Sequence, residues 1–130
     1  MDIARITLLL LAALMAAEAA WAVARPTAMR QRVRTLLDHG GITGPLHRFF
    51  WGAALLLWAL AWTGQDWPQR TLFFLGVLAM AAGIWGQRPE ATEQWYNFFL
   101  GRRTSTGIRA IYSLELALAA LLAGVAIYAP

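Results

Sequence analysis

A chain of 130 residues that is 59% hydrophobic, with a mean hydropathy of +0.50, has room for one membrane domain and for no second folded unit. It has no cysteine, which excludes disulfides, thiolate metal sites and cysteine nucleophiles. Its net charge of +4 comes with eleven basic residues, all arginine, and in a membrane chain these report topology and anionic lipid head groups, so no nucleic-acid partner is expected.

Four apolar stretches, residues 3–24, 46–64, 68–86 and 108–128, each approach the roughly 20 residues that a spanning helix needs. Hydrocarbon offers no partner to an open backbone, so each stretch must be a helix. The fold class expected is an all-α integral membrane protein: four transmembrane helices in a single domain over residues 1–130. The first stretch is too long for the apolar part of a signal peptide, and Arg25, Arg30, Arg32 and Arg34 follow it at once; it reads as an uncleaved span.

The connection after it opens on Pro26, which suits the first turn of a helix because its missing N–H is not needed there. Met29, Val33, Leu36 and Leu37 then recur at helical spacing among the arginines until Gly40-Gly41. This predicts a short amphipathic helix in the membrane interface. The second span leads to a short turn, Thr63 to Pro68, and the third span ends at Gly86. Pro89 then opens a second connection in which Trp95, Phe98, Phe99 and Leu100 follow Glu90 and Glu93, predicting another interfacial helix that stops at Gly101. The candidate lipid- or partner-contacting residues of the two connections are Arg30, Arg32, Arg34, Trp95, Phe98, Phe99, Arg102 and Arg103. Six of the seven tryptophans fall near the predicted membrane interfaces and are expected in an aromatic belt, with Trp58 deeper. Ala12, Ala16 and Ala20 on the first span, and Ala79, Gly83 and Gly86 on the third, are expected to allow close helix packing.

Arginine counting sets the topology. Connection 25–48 carries five arginines and connection 88–109 four, against Arg5 and Arg70 elsewhere. Both connections are expected in the cytoplasm and both termini outside, in an inner (plasma) membrane. The halves also match at one offset of 63 residues: Arg25-Pro26 falls on Arg88-Pro89, Gln31 on Gln94, Leu37 on Leu100 and Thr43-Gly44 on Thr106-Gly107. This predicts a tandem, parallel repeat of a two-helix unit, about 3–64 and 68–128.

Glu18 and Glu115 are the ionisable residues deep inside spans. A carboxylate there faces protein or water, and these two would lie at similar depth if the first and fourth helices touch. Proton or cation handling is one expectation; a protonated glutamate bonding a neighbouring helix is the plainer one. His39 and His47 are too few and too far apart for a metal site, and only His47 could ligate a haem. No nucleophile–base set or Gly-rich phosphate loop is present, so neither catalysis nor a cofactor is expected. Four spans with a glutamate in the first resemble small multidrug-resistance transporters in architecture alone, and Thr104-Ser105-Thr106 is similar to the Thr/Ser-rich stretch of four-span fluoride channels, from which the next residues depart. Three functions are thus expected in order: a non-enzymatic accessory or assembly subunit or a homo-oligomer, held by membrane subunits or by self-association; a small proton-coupled transporter or channel using Glu18 and Glu115; and a haem- or quinone-associated anchor.

Overall fold

The computed structural model describes residues 2–40, 45–85 and 89–130, apart from the side chains of residues 39, 40, 45–47 and 89. All regular structure among them is helical: α1 (Ile3–Ala24), α2 (Pro26–Gly40), α3 (Pro45–Ala61), α4 (Trp67–Trp85), α5 (Pro89–Tyr96) running into a π-helical turn (Asn97–Gly101), and α6 (Ser105–Tyr128). His39, His47, Arg88, Gly86 and the Gly40-Gly41 and Thr43-Gly44 pairs fall wholly or partly outside this description.

The helix ends follow local chemistry. Asp2 Oδ1 accepts the Arg5 N–H at 2.9 Å and starts α1. Pro26 and Pro89 stand at the first positions of α2 and α5. The Thr63 hydroxyl and N–H both donate to the Leu60 carbonyl, at 2.7 and 3.2 Å, so α3 ends before the expected residue 64. The Thr104 hydroxyl accepts the Gly107 N–H at 3.2 Å, and α6 begins before the apolar run itself. In the π-helical turn the Arg102 N–H reaches the Asn97 carbonyl at 3.1 Å. A side chain at Gly101 would put its Cβ 2.8 Å from Asn97 Oδ1 and 2.9 Å from the Tyr96 ring, so any larger residue must displace one or both of them.

Two helices, α1 and α6, are long and apolar enough to cross a membrane. Their 22 and 24 residues give lengths of about 33 and 36 Å. The 17 residues of α3 reach only about 26 Å. In α4, Pro68, Gln69 and Arg70 occupy the first turn, and the axis of segment 90–101 is turned 118° from that of α4.

Packing is pairwise: α1 lies on α6, and α3 on α4. Within α3–α4 the contact is aromatic into glycine. Gly76 faces Trp58, and Gly83 faces Trp51 and Phe50. Both tryptophans and both glycines are seven residues apart, the repeat that keeps one seam facing a partner. Trp51 therefore packs inside the helix pair instead of serving only in an interfacial belt. On α1 the buried line is Ala4, Leu8, Ala12, Ala19 and Ala22, while Ala20 is exposed. The step of seven from Ala12 to Ala19 departs from the expected i, i+4 stripe.

The pairs join at one end, where Leu8 and Ala12 of α1, Ala61 of α3, Leu72 of α4 and Leu122 of α6 form one apolar cluster. The Trp67 N–H there donates to the Pro130 carbonyl at 2.9 Å, so the α3–α4 turn and the carboxyl terminus share this end. At the other end a second cluster joins Ala19 and Ala22 of α1, Met29 of α2, Tyr96 and Leu100 of α5 and its π-helical turn, and Ile108 and Tyr112 of α6. The connections α2 and α5 are thus folded onto the α1–α6 pair.

Candidate functional site

The α1–α6 pair is clamped at both ends by arginine. From the first turn of α1, Arg5 donates to the Ala126 and Ala129 carbonyls at 2.9 and 2.6 Å. From the first turns of α6, Arg109 donates to the Val23 carbonyl at 3.1 Å. Each guanidinium meets carbonyls that a helix C-terminus leaves unpaired, where positive charge is favoured. The two clamps make the pair antiparallel and set its register.

By the same register Glu18 of α1 lies level with the turns of α6 that carry Tyr112 and Glu115. Glu115 is half-buried and Glu18 is exposed. Tyr112, one turn before Glu115, is 8% exposed and belongs to the second cluster. The sequence alone made this common level conditional on contact between first and fourth spans, and the α1–α6 contact meets that condition. Tyr112 was not singled out there; its i, i+3 spacing to Glu115 was the available signal. Chemically, two acids and a phenol at one level can share a proton, hold a cation, or donate and accept across an interface. Among the described residues no group of three or more His, Asp or Glu side chains is arranged to hold a metal ion.

The second constellation is the basic surface of α2, α5 and the π-helical turn. Arg34 pairs with Glu93 at 2.8 Å and with Asp38 at 3.1 Å, and lies 5.2 Å over the Tyr96 ring. The Glu93 hydrogen bond, with the Asp38 charge behind it, holds the Arg34 pKa above its ordinary value. Arg30 donates to the Arg103 carbonyl. These two arginines therefore tie α2 to the second connection, a structural use beyond the lipid or partner contact expected of them. Arg32 lies 5.6 Å over Trp21. Arg103 donates from Nε to the Phe98 carbonyl at 2.9 Å and stacks 5.1 Å over the Phe98 ring. Arg102 is exposed. Of the expected aromatic contacts, Trp95 and Phe98 are exposed, at 42% and 61%. Phe99 packs against the second cluster and serves the fold. The pairing of Glu93 and Asp38 with Arg34 was not legible in sequence because Arg34 lies on a different helix in one case and among four arginines in the other.

No protein-family model, curated protein or solved structure matches this chain.

Proposed function

We propose that this is a small non-enzymatic inner-membrane protein that crosses the bilayer four times and works as a subunit of a larger membrane assembly, with foreign subunits or with copies of itself. One observation carries the reading: Glu18 is exposed on the α1–α6 pair, well inside a helix apolar enough to span. A charged carboxylate costs about 3 kcal/mol at the centre of a spanning helix, and Glu18, about 7 Å to one side of the middle of α1, bears a part of that cost. Facing acyl chains is therefore its least favourable placement, and a neighbouring protein group that accepts or donates a hydrogen bond relieves it. The abundance of arginine in the two connections supports placing α2 and α5 in the cytoplasm, with the termini and the α3–α4 turn outside. Shifting α1, α2 and α3 by 63 residues lands them on α4, α5 with its π-helical turn, and α6. The same exchange turns the α1–α6 pair into the α4–α3 pair, which supports a tandem repeat about an axis along the membrane normal.

Native mass spectrometry of the chain, extracted from its own membrane in nanodiscs, tests the assembly reading. Stoichiometric foreign subunits or a defined homo-oligomer are expected, and Glu18→Leu should weaken the association. A bare monomer that tolerates Glu18→Leu would end this reading.

A second reading is proton-coupled transport or conduction, favoured by the common level of Glu18, Glu115 and Tyr112. Its signature is loss of proton flux into proteoliposomes for Glu18→Gln and for Glu115→Gln, each still folded. Equal flux in both variants and in the parent would remove it.

A further inference from the structure

A cavity of about 550 Å³ opens beside the π-helical turn, lined by Gln94, Asn97, Phe98, Arg102 and Arg103. We propose that it binds the phosphate of an anionic phospholipid. The inference deepens the membrane reading above and rests on α5 lying at the bilayer surface.

Charge is the first argument. Arg102 and Arg103 are adjacent, and neither is joined to a carboxylate in an ion pair among the described residues. The nearest acid along the helix face, Glu93, is committed to Arg34. Glu90 lines the adjoining cavity, which shares Gln94 with this one, and is not among the residues that line this one. Two guanidiniums and two carboxamides thus surround one space with donors and no anion.

Preorganisation is the second. The Arg103 Nε–H is held by the Phe98 carbonyl, its guanidinium carbon lies 5.1 Å over the Phe98 ring, and Arg30 holds its carbonyl from behind. Among the described residues the terminal nitrogens of Arg103 have no partner, and a fork held in this way loses little freedom on gripping two phosphate oxygens. The π-helical turn sets Arg102 beside it, through the Arg102 N–H to the Asn97 carbonyl.

Surroundings select lipid over a soluble phosphate. Trp95 and Phe98 are exposed on the same segment, and aromatic rings at this position sit at the head-group level of a bilayer. A phosphodiester that brings its own acyl chains gains those contacts; inorganic phosphate gains none.

The test uses the full chain in mild detergent with added lipid, read by native mass spectrometry. The parent should retain phosphatidylglycerol at collision energies that strip phosphatidylcholine. The Arg102→Gln/Arg103→Gln pair should lose about tenfold in phosphatidylglycerol affinity. Arg102→Gln alone, at an exposed side chain that has no ion pair among the described residues, should lose part of it, and it covers the case in which the double variant fails to fold. Arg25→Gln, an exposed arginine outside the cavity, should change little. Equal retention of both lipids by the parent would overturn the proposal, as would an Arg25→Gln loss as large as the Arg102→Gln loss. Displacement of the lipid by excess inorganic phosphate would assign the cavity to a soluble phosphate instead and overturn the lipid proposal. Insertion into bicelles, followed by circular dichroism and tryptophan emission, separates the two levels: a chain that inserts without lipid preference refutes this inference alone, and one that does not insert refutes the membrane reading.

Discussion

Gly76→Ala gives the sharpest test of the α3–α4 packing. A Cβ at Gly76 would stand 2.5 Å from Trp58 Cδ1 and 2.6 Å from Trp58 Nε1, well inside van der Waals contact. Trp58 must then move, yet its indole N–H donates to the Phe73 carbonyl at 3.2 Å and its ring lies 6.2 Å from the Phe73 ring. Overpacking of this kind costs about 1–3 kcal/mol, and an interhelical hydrogen bond in a membrane about 0.6 kcal/mol more. Against that, alanine gains roughly 1 kcal/mol of helix propensity over glycine. The net expectation is a loss of about 1–2 kcal/mol. Reversible unfolding in mixed micelles, followed by far-UV circular dichroism, measures it. Gly52→Ala and Gly124→Ala are the controls, since a Cβ at either meets nothing within 4 Å; both should be neutral or stabilising. Trp58→Phe in the Gly76→Ala background should recover most of the loss. A Gly76→Ala protein as stable as its Gly52→Ala counterpart would refute the tryptophan-into-glycine account.

Arg5→Gln removes the guanidinium that closes the last turn of α6. Hydrogen bonds to a charged donor are worth about 1.5–3 kcal/mol each when shielded, so amide exchange over residues 126–129 should quicken by an order of magnitude or more, while α3 and α4 exchange as before. Unchanged exchange there would show that the clamp is idle. Gly101→Ala places a Cβ against Asn97 and Tyr96 and should cost about 1–3 kcal/mol, with faster exchange through residues 97–102; a neutral result would mean that the π-helical turn relaxes freely.

Helix positions were largely legible because their signals are local. Arg25-Pro26 divides α1 from α2, Pro89 opens α5, and Gly101 closes the turn after it, each by the chemistry of one or two residues. Where expectation and structure part, a side chain outside the apolar run decides the end: Thr63 stops α3 early, and Thr104 starts α6 early. Pairing is another matter. An apolar helix in lipid looks alike on every face, so periodicity does not say which neighbour it meets. The common level of Glu18 and Glu115 follows from the arginine clamps of Arg5 and Arg109, which bridge more than 80 residues of chain. Counting arginines by sign of topology hid those two roles, just as an aromatic belt hid the place of Trp51 against Gly83. The glycine and tryptophan seams, each with a step of seven, were the readable trace of that contact. The basic surface was legible in composition but not in use, since Arg30 and Arg34 bind the fold together while Arg102 and Arg103 are left to face a cavity.

Everything functional rests on the four-span topology, and the chain is well suited to a direct measurement because it has no native cysteine. Single cysteines at Gln65, Thr104 and Arg32, in cells or in oriented vesicles, are treated with a membrane-impermeant maleimide. The account predicts that Gln65→Cys is labelled from outside, and that Thr104→Cys and Arg32→Cys are labelled only once the cytoplasmic face is opened. Labelling of Gln65→Cys and Thr104→Cys from the same face would contradict it, leaving α1 and α6 as the spans and α3–α4 as a hairpin that does not cross.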